Sequence, residues 1–168
     1  MKKKLVGNIA GKTGIIKMEI NTLKNNELLT GISILSVLKY VQHMEISKCM
    51  LIEPLLSYTK VLNLLRRTNS SIKSIEDLII KECITFTNFN ERYREKLLLS
   101  INSILLFSKM GLLAIDNDEV IFTGESFNFT DSTLGESAAK RIAASKNAAT
   151  ILAKGETSDL YLSLRVEI

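Results

Sequence analysis

The chain has no tryptophan, one proline and two cysteines among its 168 residues. Aromatic residues make up only 6%, so the core has to be built mainly from aliphatic side chains. One proline and eight glycines argue against an all-β fold, which needs many tight turns. Hydrophobic residues make up 46% of the chain, which is enough to bury a core, and the length suits one domain with or without a tail.

Residues that carry chemistry are also scarce. Cys49 and Cys83 both lie in apolar, helix-like patterns, and we expect two buried, reduced thiols. His43 is the single histidine, so the sequence provides no histidine-based triad and no zinc site. Glu53, beside Pro54, is expected on the solvent side of a helix start. We therefore predict a protein that is not an enzyme and has no metal and no cofactor.

The N-terminal region contains two segments that resemble known motifs but do not match them fully. Residues 7–13, GNIAGKT, have three rather than four residues between the glycines of a phosphate loop, and an extended-looking segment follows. The basic start precedes an apolar run that is too short for a signal peptide, and no run reaches the length of a membrane span. We expect a cytoplasmic protein that makes no membrane contact.

Apolar periodicity predicts a mainly α protein with three parts: an N-terminal arm (1–22), a helical domain with one β-hairpin (23–124), and a C-terminal helical extension packed on that domain (125–168). A loop is expected at 43–46 and an irregular charged stretch from 86 to 96. Alanines in the last long helix should let another helix approach it closely. Helices are predicted for Asn25 or Asn26 to Gln42, Cys49 to Arg67, Ser74 to Cys83, Ser100 to Met110, Leu134 to Lys154, and a short one within Thr157 to Val166.

The predicted hairpin raises the question of nucleic-acid binding. It follows the helix Ser100–Met110 and turns at Asp116-Asn117-Asp118, which is the outline of a winged-helix unit. Six acids and no base lie between 113 and 137, however, so this hairpin is badly charged for phosphate. The helix before it offers only Asn102 and Lys109 for reading bases. The remaining candidates for a weak phosphate-binding patch are Arg66, Arg67, Lys140, Arg141 and Lys146, together with Lys2–Lys4.

Five segments carry a family resemblance: NNELLTGISILSVLKY, MLIEPLLSYTKVLNLLRR, FNERYREKLLLSINSILLFSKMGLL, TLGESAAKRIAASKNAATILA and LYLSLRVEI. Over residues 24–168 the chain resembles the middle component of bacterial three-component ABC-ATPase systems, which act in conflict or phage defence. The resemblance implies a non-catalytic adaptor between an ABC ATPase of the chromosome-maintenance and repair type and a third component, with nucleic acid contacted through the complex. It identifies no interface residues.

Two alternatives to the adaptor remain open from the sequence. A winged-helix nucleic-acid-binding regulator is the stronger one, because a helix followed by a hairpin is typical of that class. A helical domain that binds a small molecule is the weaker one. The pair Arg66-Arg67 also has a purely structural interpretation, since cations at a helix C-terminus are stabilised by the helix dipole.

Overall fold

The computed structural model describes residues 26–69 and 71–167, and the predicted arm 1–22 and the GNIAGKT motif lie outside them. The fold is mainly helical with a small antiparallel sheet, as the sequence predicts. In chain order the elements are α1 Glu27–Val41, β1 His43–Glu45, α2 Ile46–Cys49, α3 Ile52–Leu56, α4 Thr59–Leu65, α5 Ile75–Lys81, α6 Cys83–Phe86, α7 Phe89–Lys109, β2 Leu113–Asp116, β3 Glu119–Phe122, a 3₁₀ turn Ser132–Leu134, α8 Gly135–Lys154 and α9 Thr157–Ser163.

Helix α1 is the central helix of the fold. The side chain of Asn26 caps it by accepting a hydrogen bond from the backbone N–H of Leu28 at 2.8 Å, which confirms the predicted helix start. Every residue from Thr30 to Leu38 is buried, because α7 and α8 pack on different sides of the helix. The almost continuous apolar residues of the segment 49–67 predict instead that the central, buried helix lies there, and this prediction is wrong.

The segment 49–67 forms parts of three short helices rather than one long helix. Pro54 lies inside α3 and has no N–H to bond to the carbonyl of Met50, so a continuous helix cannot pass through this point. A second break occurs at Tyr58, whose backbone is extended. The burial prediction for this segment is confirmed for its first half, since all residues from 49 to 56 are buried.

Helix α7 is twice as long as predicted. The charged stretch NERYREK is part of it, because Phe89 and Tyr93 bury one side while Glu91, Arg94 and Glu95 face solvent. Arg92 is partly buried against the Tyr58 ring. Because the helix begins at Phe89, Ser100 lies buried in its middle and does not cap it. The apolar spacing of this segment predicts that Ile101, Ile104, Leu105 and Leu112 face inward. Ile104 is buried and Leu112 partly buried, but Ile101 and Leu105 are exposed, so the prediction is wrong for these two.

The sheet has three antiparallel strands in the order β1-β3-β2. The hairpin β2–β3 is confirmed, and Asn117 adopts the positive φ (53°) that its tight turn requires. The expected loop at 43–46 is instead strand β1, in which His43 pairs with Ile121 of β3. The strand has only three residues, which are too few to show an alternation of apolar and polar side chains. Its hydrogen bonds depend on its partner β3.

Helix α8 runs along α1 and is held there by small side chains, as the alanine-rich pattern predicts. Ala138, Ala144, Ala148 and Ala149 are all buried, so the small-residue side of α8 is occupied by the protein itself. Helix α9 then fastens the C-terminus, because the hydroxyl of Tyr161 donates to the backbone oxygen of Ser47 at 2.8 Å. Within the described ranges, no helix is both long and apolar enough to cross a membrane.

Candidate functional site

The exposed side of α7 presents three aliphatic side chains in a row. Leu98, Ile101 and Leu105 are spaced three and four residues apart, which places them on one stripe of the helix. Their exposed fractions are 68%, 40% and 48%. We call these three residues the outer stripe of α7. Its position follows from the opposite side of the helix, where Ser100, Ile104 and Phe107 are buried and fix the rotation of α7.

Polar residues frame the outer stripe. On one side, the Asn102 side chain donates to the carboxylate of Glu27 at 3.2 Å, which brings the first turn of α1 alongside α7. Towards the helix start, Arg94 donates to Glu167 at 3.4 Å. Exposed aliphatic stripes with a polar border are typical of surfaces that bind another protein.

The position of α7 is set by an unusually close contact with α1. A Cβ atom added to Gly31 would lie 2.0 Å from the Phe107 ring, so only glycine fits at this crossing. The ring itself is almost completely buried. The outer stripe is therefore presented from a helix that is firmly seated on the centre of the fold.

The hairpin next to α7 is acidic at its tip. The exposed turn consists of Asp116, Asn117 and Asp118. Beside it, the carboxylate of Glu119 lies 3.1 Å from His43 Nδ1. No lysine or arginine lies in the hairpin. A phosphate backbone would meet repulsion here, so the hairpin does not suit the role that a wing has in DNA binding.

The structure places Arg141 in the interior, which removes it from any phosphate-binding surface. Its guanidinium donates to both carboxylate oxygens of Glu53, with a distance of 3.2 Å from Nη2 to Oε1, and Nη1 also donates to Ser33 Oγ at 3.0 Å. Glu53 is completely buried, so the expectation that it faces solvent is wrong. The reason is the break at Pro54, which leaves the short helix α3 enclosed and directs the Glu53 carboxylate towards α8.

Of the other sequence candidates, Lys2–Lys4 lie outside the described residues. Arg66 and Arg67 are exposed at the end of α4, and on α8 Lys146 is exposed and Lys140 partly exposed. The side chain of Asn147 on α8 donates to the backbone oxygens of Leu65 (2.6 Å) and Arg67 (3.1 Å), which fastens the end of α4 to the middle of α8. Lys140 forms an ion pair with Glu136 one turn earlier, at 2.5 Å. We call Arg66, Arg67, Lys140 and Lys146 the basic face.

Glu136 on α8 lies close enough to Arg66, at the end of α4, to interact with its charge, so both helices contribute to the basic face. The pKa of Glu136 is lowered, first by its hydrogen bond and ion pair with Lys140 and further by the positive charge of Arg66. Arg66 and Lys140, which are distant in sequence, therefore lie near the same carboxylate. Lys146 lies at the other edge of the exposed side of α8, because six residues of helix correspond to a rotation of roughly 120° from Lys140.

The two cysteines differ, contrary to the prediction that both are buried. Cys49 is buried beneath β1, and burial raises the pKa of its thiol to about 12. Cys83 is exposed at the start of α6. In the part of the chain that the structure describes, no group of three His, Cys, Asp or Glu side chains is placed to hold a metal ion.

Comparisons with protein-family models, with curated proteins and with solved structures gave no match to this chain. The outer stripe and the basic face are therefore argued from their own geometry.

Proposed function

We propose that this protein is a non-catalytic adaptor that links an ABC ATPase of the chromosome-maintenance and repair type to a third component in a bacterial defence system. The outer stripe of α7 is the observation that supports this proposal, because it offers a surface for a protein partner. The named partners come from the family resemblance of the sequence.

The outer stripe favours a protein partner on energetic grounds. Complete burial of a fully exposed leucine or isoleucine contributes about 1.5–3 kcal/mol. Leu98, Ile101 and Leu105 are already partly buried, so each has about half of its apolar surface left to contribute to an interface. Three such side chains at helical spacing form a ridge that fits a groove, or the apolar face of a helix, on the partner. This is enough for the energetic centre of an interface, which usually depends on a few residues.

The alternative is a winged-helix regulator that binds nucleic acid. The order of α1, β1, α7, β2 and β3, together with the three-stranded sheet, is compatible with that outline. In such a protein the helix before the hairpin enters the major groove and reads bases with Arg, Lys, Asn or Gln. Helix α7 would instead place the aliphatic outer stripe against the polar major groove. The adjacent hairpin is acidic and would repel phosphate. We therefore favour the adaptor.

Co-expression with the products of the adjacent genes tests the proposal. The expected result is a complex with the ABC ATPase that survives affinity capture and size-exclusion chromatography. The absence of a stable complex with the ATPase, when both proteins are folded and soluble, would contradict the adaptor hypothesis.

A further inference from the structure

The basic face combines a high density of cations with very few acids. Helices α4 and α8 together contain only one acidic residue, Glu136, and it is already paired with Lys140. Arg66, Arg67 and Lys146 are exposed. The four cations of the basic face are thus accompanied by a single acidic residue on α4 and α8.

Apolar side chains are missing from the basic face. Among the described residues, the large hydrophobic side chains that are exposed lie on α1, α5, α6, α7, β2 and α9 or just after α7, and none lies on α4 or α8. The exposed residues between the cations are small, such as Ala139 and Ala143. A protein interface normally has an apolar centre, whereas binding to a nucleic-acid backbone needs mainly cations that reach phosphates.

We propose that the basic face binds the phosphodiester backbone of a nucleic acid, independently of the protein partner on α7. Arg66 and Arg67 at the end of α4 and Lys140 on the adjacent turns of α8 form the main contact. Lys146 makes a further contact across α8, where Ala143 leaves room for the backbone to approach. Bases are not read, because the face offers cations alone and contacts to phosphate carry no sequence information.

Fluorescence anisotropy with the full chain tests this proposal. The probes are a short labelled DNA duplex and a labelled single-stranded RNA of unrelated sequence, and comparison of the two distinguishes the sources of the backbone. For the duplex, four phosphate contacts predict that log K falls with log salt with a slope of about −3 to −4. No binding to either probe at about 50 mM salt would overturn the proposal.

Two charge-matched double variants locate the binding. Arg66→Gln/Arg67→Gln is expected to weaken duplex binding roughly a hundredfold at about 50 mM salt and to make the salt slope less steep by about 2. The control Lys73→Gln/Lys81→Gln removes the same charge near α5 and is expected to bind like the wild type. Unchanged melting temperatures show that both variants are folded.

Three results would contradict the proposal that the basic face binds nucleic acid. Equal losses in both double variants would mean that only net charge matters. An unchanged affinity for Arg66→Gln/Arg67→Gln would place any binding elsewhere, for example at Lys2–Lys4. The third result is that the wild type binds an acidic protein but no nucleic acid, and that Arg66→Gln/Arg67→Gln abolishes this protein complex. A protein would then be the ligand of the basic face. Each result is obtained with the isolated chain or a separate partner, so it does not depend on the ATPase complex.

Discussion

The outer stripe of α7 and the basic face differ in the chemistry that they expose. The outer stripe consists of three aliphatic side chains on a helix whose other side is buried. The basic face consists of cations on α4 and α8, with small side chains between them and no large exposed apolar group. One surface suits a protein partner and the other suits a phosphate backbone.

The comparison also bears on the unit formed by α7 and the hairpin. The helix before the hairpin, where base-reading residues would be needed, carries leucines and isoleucine instead. The cations of the basic face lie on α8 and at the end of α4. If nucleic acid binds there, as we propose, the helix and hairpin would not indicate the binding surface.

Breaking the buried pair Glu53–Arg141 should have the largest effect, because this pair holds α8, and with it the basic face, on the core. Glu53→Gln leaves a buried guanidinium without its counter-charge and should destabilise the fold by about 3–5 kcal/mol. Urea unfolding followed by circular dichroism measures this change. The double variant Glu53→Leu/Arg141→Met should recover most of the loss, since it removes both charges. A single variant as stable as the wild type would contradict the role of the pair.

Gly31→Ala should disturb the seat of α7 and so the outer stripe. The added methyl group would overlap the Phe107 ring, and overpacking of this kind costs about 1–3 kcal/mol. The measurement is the free energy of unfolding from urea denaturation. In the Phe107→Leu variant, Gly31→Ala should lower the free energy of unfolding less than it does in the wild type, because the smaller side chain leaves room for the added methyl group. An additive result would indicate that the two residues are not coupled.

Asn147→Ala should loosen the basic face while leaving the outer stripe unchanged. It removes two hydrogen bonds to the end of α4 and should cost about 1–2 kcal/mol. Hydrogen exchange should become faster in the amides of α4 and stay the same in α7. Faster exchange along α7 as well would mean that the two surfaces are not independent.

The smallest effect concerns the two thiols, which test the burial of the core beneath β1. At pH 8 the native protein should react with one equivalent of a thiol reagent at Cys83, because Cys49 is buried and its pKa is raised to about 12. In denaturant both thiols should react. The raised pKa of Cys49 also predicts that stability falls as the pH rises above about 9, where the unfolded chain loses this proton first. Two rapid equivalents in the native state would show that Cys49 is accessible.

Local signals in the sequence were sufficient for much of the fold. The cap at Asn26, the capping serine at position 74, the hairpin turn at Asn117 and the end of α8 near Gly155 all act within a few residues, and the structure confirms them. These features depend on backbone geometry and nearby hydrogen bonds, which a single stretch of sequence contains.

Features that depend on distant partners were not predictable in the same way. Strand β1 exists because β3 pairs with it, and the burial of Glu53 depends on Arg141, which lies 88 residues further along the chain. The outer stripe was also missed, because a helix with little polar surface gives no indication of which apolar side faces the core. The basic residues of α8 and the isolated acid Glu53 were visible in the sequence, but which of them pair in the interior depends on the fold.

The most direct test of the central claim is the binding of the proposed ABC-ATPase partner to two matched variants. Leu98→Glu/Leu105→Glu places two charges on the outer stripe, while Ile80→Glu/Ile84→Glu places two charges on α5 and α6, where the isoleucines are 77% and 82% exposed. Calorimetry should show loss of ATPase binding for the α7 variant and wild-type affinity for the control, with both proteins folded. Wild-type affinity in the α7 variant would contradict the claim that the outer stripe is the protein-binding surface.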